Sequence, residues 1–225
     1  WQAEGRSLIL MDAPPPQEDC RPFVRIAALL ADSGVHVPRI LAQDLERGFL
    51  VLDDLGRQTW LEVLNADNAD ALFEQALQAL VRFQRMPCAD VLPPYDDALL
   101  RRELQLFPDW YIARHRAITL TDAQQATLAK AFDTIVAQNL AAPSVYVHRD
   151  FMMRNLMVRA DGRLSVLDFQ DAVFGPVTYD IASLMRDAFI SWEEDFVIDI
   201  TVRYWEKARK AGLLGANSAS GWGAD

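Results

Sequence analysis

The chain has 225 residues, of which 51% are hydrophobic, and a formal net charge of −10. This length can bury the core of one domain or of two unequal lobes. No apolar run approaches the ~20 residues that cross a bilayer, so we expect no membrane partner. The negative charge also argues against nucleic acid as a partner, because nucleic acid is itself anionic.

Cysteine and histidine are too few and too scattered to predict a disulfide framework or a metal motif. Cys20 and Cys88 are the only two cysteines, and the three histidines lie far apart in the sequence. The start of the chain lacks the basic segment followed by an apolar one that is typical of a secretory signal. These features favour a reducing, cytoplasmic environment.

The first 55 residues predict a small unit of strands with one helix. A strand over residues 7–11 is halted by three prolines, which cannot donate to a sheet ladder. A helix follows between Pro22 and Gly34. Its predicted apolar face holds Phe23, Ile26, Ala27 and Leu30. Segments 35–44 and 48–56 are predicted to be extended.

The central part of the chain is predicted to be helical. Leucine, alanine and phenylalanine repeat at three- and four-residue spacing between residues 68 and 86. A second helix begins at a capping box formed by Thr121 and Gln124. We expect this helix to bury Leu128, Phe132, Ile135 and Leu140. Between the two helices, residues 99–118 predict a helix interrupted at Pro108.

Three short strands and then further helices are predicted after Pro143. The last two strands flank a turn at residues 160–162 and therefore form a hairpin. The predicted strands are 144–148, 155–159 and 164–169, and the predicted helices are 179–190 and 196–212.

Three polar side chains meet at one end of the predicted hairpin. Asp150 lies in the loop before it, Asn155 starts it and Asp168 ends it. The oxygens of Asn155 and Asp168 suit Mg²⁺, which prefers oxygen ligands and keeps waters and phosphate oxygens besides. Asp150 can orient a hydroxyl group. Phosphoryl transfer needs such neutralised charge and a positioned acceptor.

The spacing around Asp150 follows the kinase pattern H-R-D-x-x-x-x-N followed by D-F. The chain reads HRDFMMRN over residues 148–155 and LDFQDA over residues 167–172. The bland alternative is a hairpin whose polar residues only cap turns. A lone Asp–Asn pair would favour that alternative, whereas six matching residues in register favour the kinase site.

These motifs, with LMDAPP (10–15), FLVLDDLG (49–56) and the stretch 167–189, resemble the aminoglycoside phosphotransferase/choline kinase family. Within it, the chain is most similar to the bacterial cell-wall-recycling kinases of the anomeric hydroxyl of N-acetylmuramate and N-acetylglucosamine. The resemblance implies an α+β, protein-kinase-like, two-lobed fold with a truncated N-terminal lobe. The nucleotide-side lobe would be residues 1–55, and the mostly helical lobe 56–225.

The resemblance also implies roles for the motif residues. Asp150 would be the catalytic base or would orient the sugar hydroxyl. Asn155 and Asp168 would hold the Mg²⁺ that bridges ATP phosphates. Arg149 and His148 would brace the loop.

Residues outside the catalytic motif receive roles from the same resemblance. The hinge that meets adenine would be Leu52, Asp53, Asp54 and Leu55. Asp180 would anchor structure beneath the loop. Candidate sugar contacts are Arg154, Gln170 and Asp171, for which an ordinary polar loop is the alternative. Trp60, Trp110 and Tyr111 could stack on a sugar or belong to the core.

The chain departs from the kinase pattern in its cationic groups. Met11 occupies the position of the strand lysine, and no lysine precedes Lys130. The usual acidic partners of that lysine, Glu18 or Asp19, therefore lack it, and the glycine-rich loop is absent. Substitute cations for the phosphates are Arg6, Arg21 and Arg25.

Two other functions remain open at the level of sequence. A kinase for a cationic acceptor, such as an aminoglycoside or choline, would suit the acidic segments 96–98 and 191–195. A nucleotide-binding pseudokinase would explain the missing lysine. The intact set of Asp150, Asn155 and Asp168 argues against the pseudokinase, because a mere scaffold does not need all three.

Overall fold

The computed structural model describes residues 2–3, 6–87 and 89–215 and confirms the α+β class. The strands are β1 (Gln2–Ala3), β2 (Arg6–Asp12), β3 (Ile40–Asp44), β4 (Phe49–Asp53), β5 (Ser144–Val147), β6 (Leu156–Val158), β7 (Leu164–Val166) and β8 (Val173–Pro176). The helices are α1 (Arg21–Asp32), α2 (Trp60–Val63), α3 (Ala69–Gln84), α4 (Asp97–Leu106), α5 (Asp122–Ala141), α6 (Tyr179–Met185) and α7 (Glu194–Lys210). A π-helical segment, Phe107–His115, directly follows α4 and precedes α5 in the chain. A 3-10 turn covers Met153–Asn155.

The first strands form one sheet in the order β1-β2-β4-β3, with antiparallel neighbours. Helix α1 buries Phe23, Ile26, Ala27 and Leu30, the apolar face that the sequence predicts. Gly48 fixes the β3–β4 turn against the loop after β2. A Cβ added at Gly48 would lie 2.1 Å from the carbonyl oxygen of Ala13, so only glycine fits there.

One continuous hydrophobic core connects the sheet with the helices. Its centre is α3, whose apolar positions Leu72, Phe73, Ala76, Leu77 and Leu80 are buried as predicted. The core crosses the predicted boundary after residue 55, and the division into 1–55 and 56–225 stays a prediction. Cys20 is a buried free thiol, and Cys88 lies outside the described residues. No helix within the described ranges is long and apolar enough to cross a membrane.

The α4–α5 unit (residues 97–141) differs from its prediction. The helix continues through Pro108, because proline is tolerated in a first turn, and α4 changes into the π-helical segment instead of stopping. The capping box of Thr121 and Gln124 is confirmed, with a hydrogen bond of 2.9 Å from the Thr121 N–H to the Gln124 Oε1. The predicted burial was wrong for Ile135 and Leu140, which are 42% and 50% exposed.

The predicted hairpin forms from β6 and β7, with Leu156 opposite Val166. Contacts on both sides hold it. The Val158 N–H donates to the Gln58 carbonyl at 3.0 Å, and the Val166 N–H donates to the His36 carbonyl at 2.8 Å. Strand β8, which pairs with β5, was not predicted. The hairpin thus lies between the first sheet and the helices.

Candidate active site

The loop before the hairpin is held from below by Asp180. This buried carboxylate accepts backbone hydrogen bonds from His148 at 2.8 Å and from Arg149 at 3.0 Å, which confirms its predicted anchoring role. Burial raises the pKa of Asp180 to about 7, although the two N–H donors oppose the shift. Arg149 has a φ of 77°, a left-handed conformation that non-glycine residues seldom adopt. The anchor therefore fixes a costly backbone conformation.

Asn155 and Asp168 lie side by side at the end of the hairpin. The Asn155 Nδ2 donates to the Asp150 carbonyl at 2.9 Å and lies 3.4 Å from the Asp168 Oδ2. The other carboxylate oxygen of Asp168 accepts a 2.8 Å hydrogen bond from the Gln170 side chain. Asp168 also has a positive φ, 62°. The hairpin thus brings together the residues that the motif predicts, with Asp150 in the same loop.

The chemistry of these donors fits a hard cation. Asn155 supplies an amide oxygen and Asp168 a carboxylate, both oxygen ligands. No three His, Cys, Asp or Glu side chains within the described ranges are grouped to hold a metal ion. A cation bound between Asn155 and Asp168 would therefore need further oxygens from water or phosphate, which is the usual situation for Mg²⁺.

Asp150 is half-buried, and its surroundings shift the pKa of its carboxyl. Burial raises the pKa of Asp150, and the negative charge of Asp168 raises it further. The backbone N–H of Asp150 donates to the Nδ1 of His148 at 3.3 Å. His148 is fully buried, and burial lowers its pKa to about 4. His148 is therefore a buried, neutral imidazole in contact with the backbone of Asp150.

A cavity of about 390 Å³ opens between the sheet and the hairpin. Asn155, Asp168 and Gln170 line one side of it, and the other side is formed by Met11, Ala13, Glu18, Asp19 and Phe23. Among the residues that the structure describes, the lining contains three carboxylates and no lysine or arginine. A larger cavity of about 730 Å³ lies between α1 and β3 and contains no candidate catalytic residue.

The three arginines predicted to replace the strand lysine differ in their relation to this cavity. Arg21 pairs with Asp19, a lining residue, at 3.2 Å. Arg25 is exposed on α1. The side chain of Arg6 is outside the described residues. Of the two arginines whose side chains are described, Arg21 is thus the one tied to a residue of the cavity.

The candidate sugar contacts surround the loop. Arg154 is exposed, and its guanidinium lies 5.0 Å from the ring centroid of Phe189. Gln170 contacts Asp168, and Asp171 is exposed. The Asp171 carbonyl lies 3.4 Å from the guanidinium of Arg149. All three therefore lie near the loop of Asp150.

The predicted hinge runs from the end of β4 towards the hairpin. Leu52 is buried, and Asp53 holds Arg39 through an ion pair of 3.0 Å. The Asp54 side chain accepts from the Gly56 N–H at 2.8 Å, and hydrogen bonds lower the pKa of Asp54, that from Ser7 most. Residues 52–55 do not line the 390 Å³ cavity. Their contact with adenine stays a prediction.

The aromatic candidates separate clearly. Trp60 is fully buried, so of its two alternatives it belongs to the core. Trp110 and Tyr111 are 56% and 48% exposed on the π-helical segment. Trp110 carries the guanidinium of Arg114 at 4.0 Å from its ring centroid.

Sequence reasoning missed Glu103 and Tyr95. Glu103 lies on α4 and forms an ion pair with Arg149. The Tyr95 hydroxyl donates to the same carboxylate. The contact between Glu103 and Arg149 spans 46 residues, so no local spacing marks it. Tyr95 is 8 residues before Glu103 but lies outside α4, so helical spacing does not relate the two. The one usable signal was an acidic residue on a predicted helix with no partner at helical spacing.

Comparisons with known proteins place this geometry in a family. The sequence pattern of the phosphotransferase enzyme family matches residues 1–214. The N-acetylmuramate/N-acetylglucosamine kinase of Pseudomonas aeruginosa is 60% identical over 95% of this chain and 63% of its own length. The enzyme of the same name from Neisseria meningitidis is 45% identical over 94% of this chain and 64% of its own length. The chain thus spans less than two thirds of the length of these relatives.

Solved structures show the same fold at low sequence identity. An aminoglycoside phosphotransferase in complex with gentamicin has a TM-score of 0.64 at 20% identity, covering 93% of this chain and 75% of its own. A choline kinase from Streptococcus pneumoniae has a TM-score of 0.58 at 12% identity, covering 99% and 82%. The fold is therefore the protein-kinase-like fold of these enzymes, and the chain belongs to the phosphotransferase enzyme family.

Proposed function

We propose that the full-length protein is an ATP- and Mg²⁺-dependent kinase of the anomeric hydroxyl of N-acetylmuramate and N-acetylglucosamine, acting in the cytoplasm in cell-wall recycling. The observation that carries the reaction type is the contact of Asn155 with Asp168 and with the carbonyl of Asp150. The identity of 60% to a kinase of that name supports the acceptor.

Asn155 and Asp168 would hold the divalent ion. The ion, when bound, neutralises the developing charge on the transferred phosphoryl group and orients the ATP phosphates. Asn155 keeps its amide nitrogen on the Asp150 carbonyl, which leaves its amide oxygen as the ligand. To bind the cation, the carboxylate of Asp168 would give up its hydrogen bonds from the side-chain amides of Asn155 and Gln170.

The acidic lining of the cavity makes the divalent ion essential in this proposal. Glu18, Asp19 and Asp168 face the space that triphosphate would enter. Like charges repel strongly in a partly desolvated site. With Met11 in the lysine position, Arg21 is the protein cation proposed to assist, after release from Asp19. Leu52, Asp53, Asp54 and Leu55 would receive the adenine.

Asp150 would act on the acceptor. Its half-buried carboxylate can accept the proton of the sugar hydroxyl and aim the oxygen at the γ-phosphate. His148 and Arg149 would hold the loop in place, and Asp180 fixes their backbone. Arg154, Gln170 and Asp171 are proposed to contact the sugar. No nucleic acid or membrane partner is part of the proposal.

Phosphorus NMR of the full-length protein tests this function. The protein is mixed with ATP and Mg²⁺ and, separately, with N-acetylmuramate, N-acetylglucosamine, an aminoglycoside and choline. The proposal expects an anomeric phosphate on both amino sugars and none on the other acceptors. A phosphate only on the aminoglycoside or choline would establish the cationic-acceptor kinase. Nucleotide binding without any product would establish the pseudokinase.

A further inference from the structure

Glu103 connects the α4–α5 unit to the loop of Asp150. One of its carboxylate oxygens pairs with the guanidinium of Arg149, 46 residues away. The other accepts a hydrogen bond from the Tyr95 hydroxyl. The side chains of Arg149 and Glu103 are 26% and 24% exposed, which makes theirs the best shielded ion pair among the described residues. Shielded pairs fix geometry more firmly than exposed ones.

Tyr95 is itself held rigidly. Its backbone N–H donates to the Phe174 carbonyl of β8 at 2.8 Å. The ring lies so close to Gly175 that a Cβ there would be 2.7 Å from the Tyr95 Cβ. Tyr95 therefore presents its hydroxyl to Glu103 from a fixed position, and burial raises its pKa, which keeps the hydroxyl a donor.

The contacts close into a circuit around the loop. Tyr95 meets the ring of Tyr179 edge-on, with centroids 5.3 Å apart. Tyr179 opens α6, and the next residue is Asp180, which accepts the N–H groups of His148 and Arg149. Arg149 thus has its backbone fixed by Asp180 and its side chain fixed by Glu103. The backbone of this strained residue is therefore held by α6, and its side chain is held by α4.

From this circuit we infer that Glu103 is a positioning residue for phosphoryl transfer. It holds Arg149 in its left-handed conformation, and this conformation sets the direction in which the next residue, Asp150, leaves the loop. Glu103 touches neither the acceptor nor the nucleotide in this role. The inference rests on the proposed role of Asp150 as base. Misplacing a catalytic group by about 1 Å can cost about 100-fold in rate.

The experiment compares full-length protein with the variants Glu103→Gln, Arg149→Met and the double variant, with N-acetylglucosamine as acceptor. Glu103→Gln should lower kcat about 10- to 100-fold and change the KM for ATP less than about twofold. Because Glu103 acts through Arg149, the double variant should be no slower than the slower single variant. Tyr95→Phe, which keeps the ring, should lower kcat several-fold.

Asp133→Asn is the matched control. Asp133 lies on α5 and pairs at 2.8 Å with Arg101 of α4, the helix that also carries Glu103, but both side chains of this pair are exposed. Its loss should leave kcat unchanged. Thermal unfolding checks that every variant is folded, and Tyr95→Phe tests the circuit if Glu103→Gln does not fold.

The inference is overturned if Glu103→Gln and Tyr95→Phe keep the wild-type kcat, or if the losses at Glu103 and Arg149 multiply. A loss confined to the KM for ATP would also overturn it. Failure of the proposed function has a different signature, since the wild type would then not phosphorylate the amino sugar. In that case the variants are compared on the acceptor that the wild type does use.

Discussion

The loop of the catalytic motif and the α4–α5 unit differ in the contacts that their side chains make. In the loop, residues 148–155 are bound by backbone and side-chain hydrogen bonds to Asp180 and to each other. In the α4–α5 unit, Leu106, Phe107, Ile135 and Leu140 are all at least 42% exposed. The loop is thus held by specific hydrogen-bond partners, whereas several apolar side chains of the α4–α5 unit are exposed. The difference teaches that partners, and not hydrophobicity alone, decide how well a segment is fixed.

The largest expected effect lies at the centre of the fixed region. Asp150→Asn removes the proposed proton acceptor and keeps the side-chain shape, so kcat for the amino sugar should fall about 10³-fold. The affinity for ATP should survive, because Asp150 holds neither the proposed metal nor the adenine. Steady-state kinetics and nucleotide titration of the full-length protein measure both.

Asp109→Asn is the matched control from the α4–α5 unit, since Asp109 is exposed on the π-helical segment. Its kcat should match that of the wild type. Near-normal turnover of Asp150→Asn would exclude the proposed role of Asp150 as proton acceptor. An equal loss of kcat in Asp150→Asn and Asp109→Asn would show that the loop is no more sensitive to substitution than the α4–α5 unit.

The second prediction concerns the pH dependence of folding. Burial lowers the pKa of His148 to about 4, below the ~6.5 of an unfolded histidine. Between these two values the unfolded chain binds more protons, so the contribution of His148 to stability is present above pH ~6.5 and is lost as the pH falls to ~4. The unfolding free energy of the wild type relative to His148→Gln should fall by about 3 kcal/mol over this range.

Urea unfolding at several pH values measures this difference. The pKa of Asp180, raised to about 7, acts with the opposite sign, because its contribution is lost as the pH rises. Asp180 is present in both proteins, so its effect cancels in the comparison. His115→Gln is the control, since His115 is an exposed imidazole of the α4–α5 unit. A pH-independent difference for His148→Gln would contradict the neutral, buried imidazole.

The two regions also differ in how far the sequence predicts them. The approach of Asn155 to Asp168 follows from a spacing and a hairpin, both of which are local. The burial of α1 and α3 follows from helical periodicity. In α5 the same periodicity predicted burial of Ile135 wrongly, because an apolar face does not state which element covers it. Glu103 was missed because its partner lies 46 residues away.

The third prediction tests whether Arg154, in the loop of Asp150, recognises the carboxylate of the acceptor sugar. N-acetylmuramate carries a carboxylate that N-acetylglucosamine lacks, and Arg154 is an exposed guanidinium four residues after Asp150. Arg154→Ala should lower kcat/KM for N-acetylmuramate about tenfold more than for N-acetylglucosamine, as expected for a charge-assisted hydrogen bond.

Arg154→Lys should keep part of the preference, because lysine retains the charge but not the planar fork. Arg116→Ala, an exposed arginine at the end of the π-helical segment, is the control and should leave the ratio unchanged. Equal losses with both sugars for Arg154→Ala would show that Arg154 does not read the carboxylate.

The smallest expected effect is that of a substitution at Ile135 on α5, and its buried neighbour Val136 gives a direct contrast. Val136 is 2% exposed and Ile135 is 42% exposed. In this 225-residue chain, Val136→Ala should cost roughly 2 kcal/mol of unfolding free energy through lost contacts and a cavity. Ile135→Ser should cost less than about 0.5 kcal/mol, because a surface side chain keeps its solvent on folding. Urea unfolding of both variants measures the two costs. Equal costs would mean that the outer face of α5 is buried in an interface. In that case both regions would have partners, and they would differ only in whether those partners are hydrogen-bonding groups or an apolar surface.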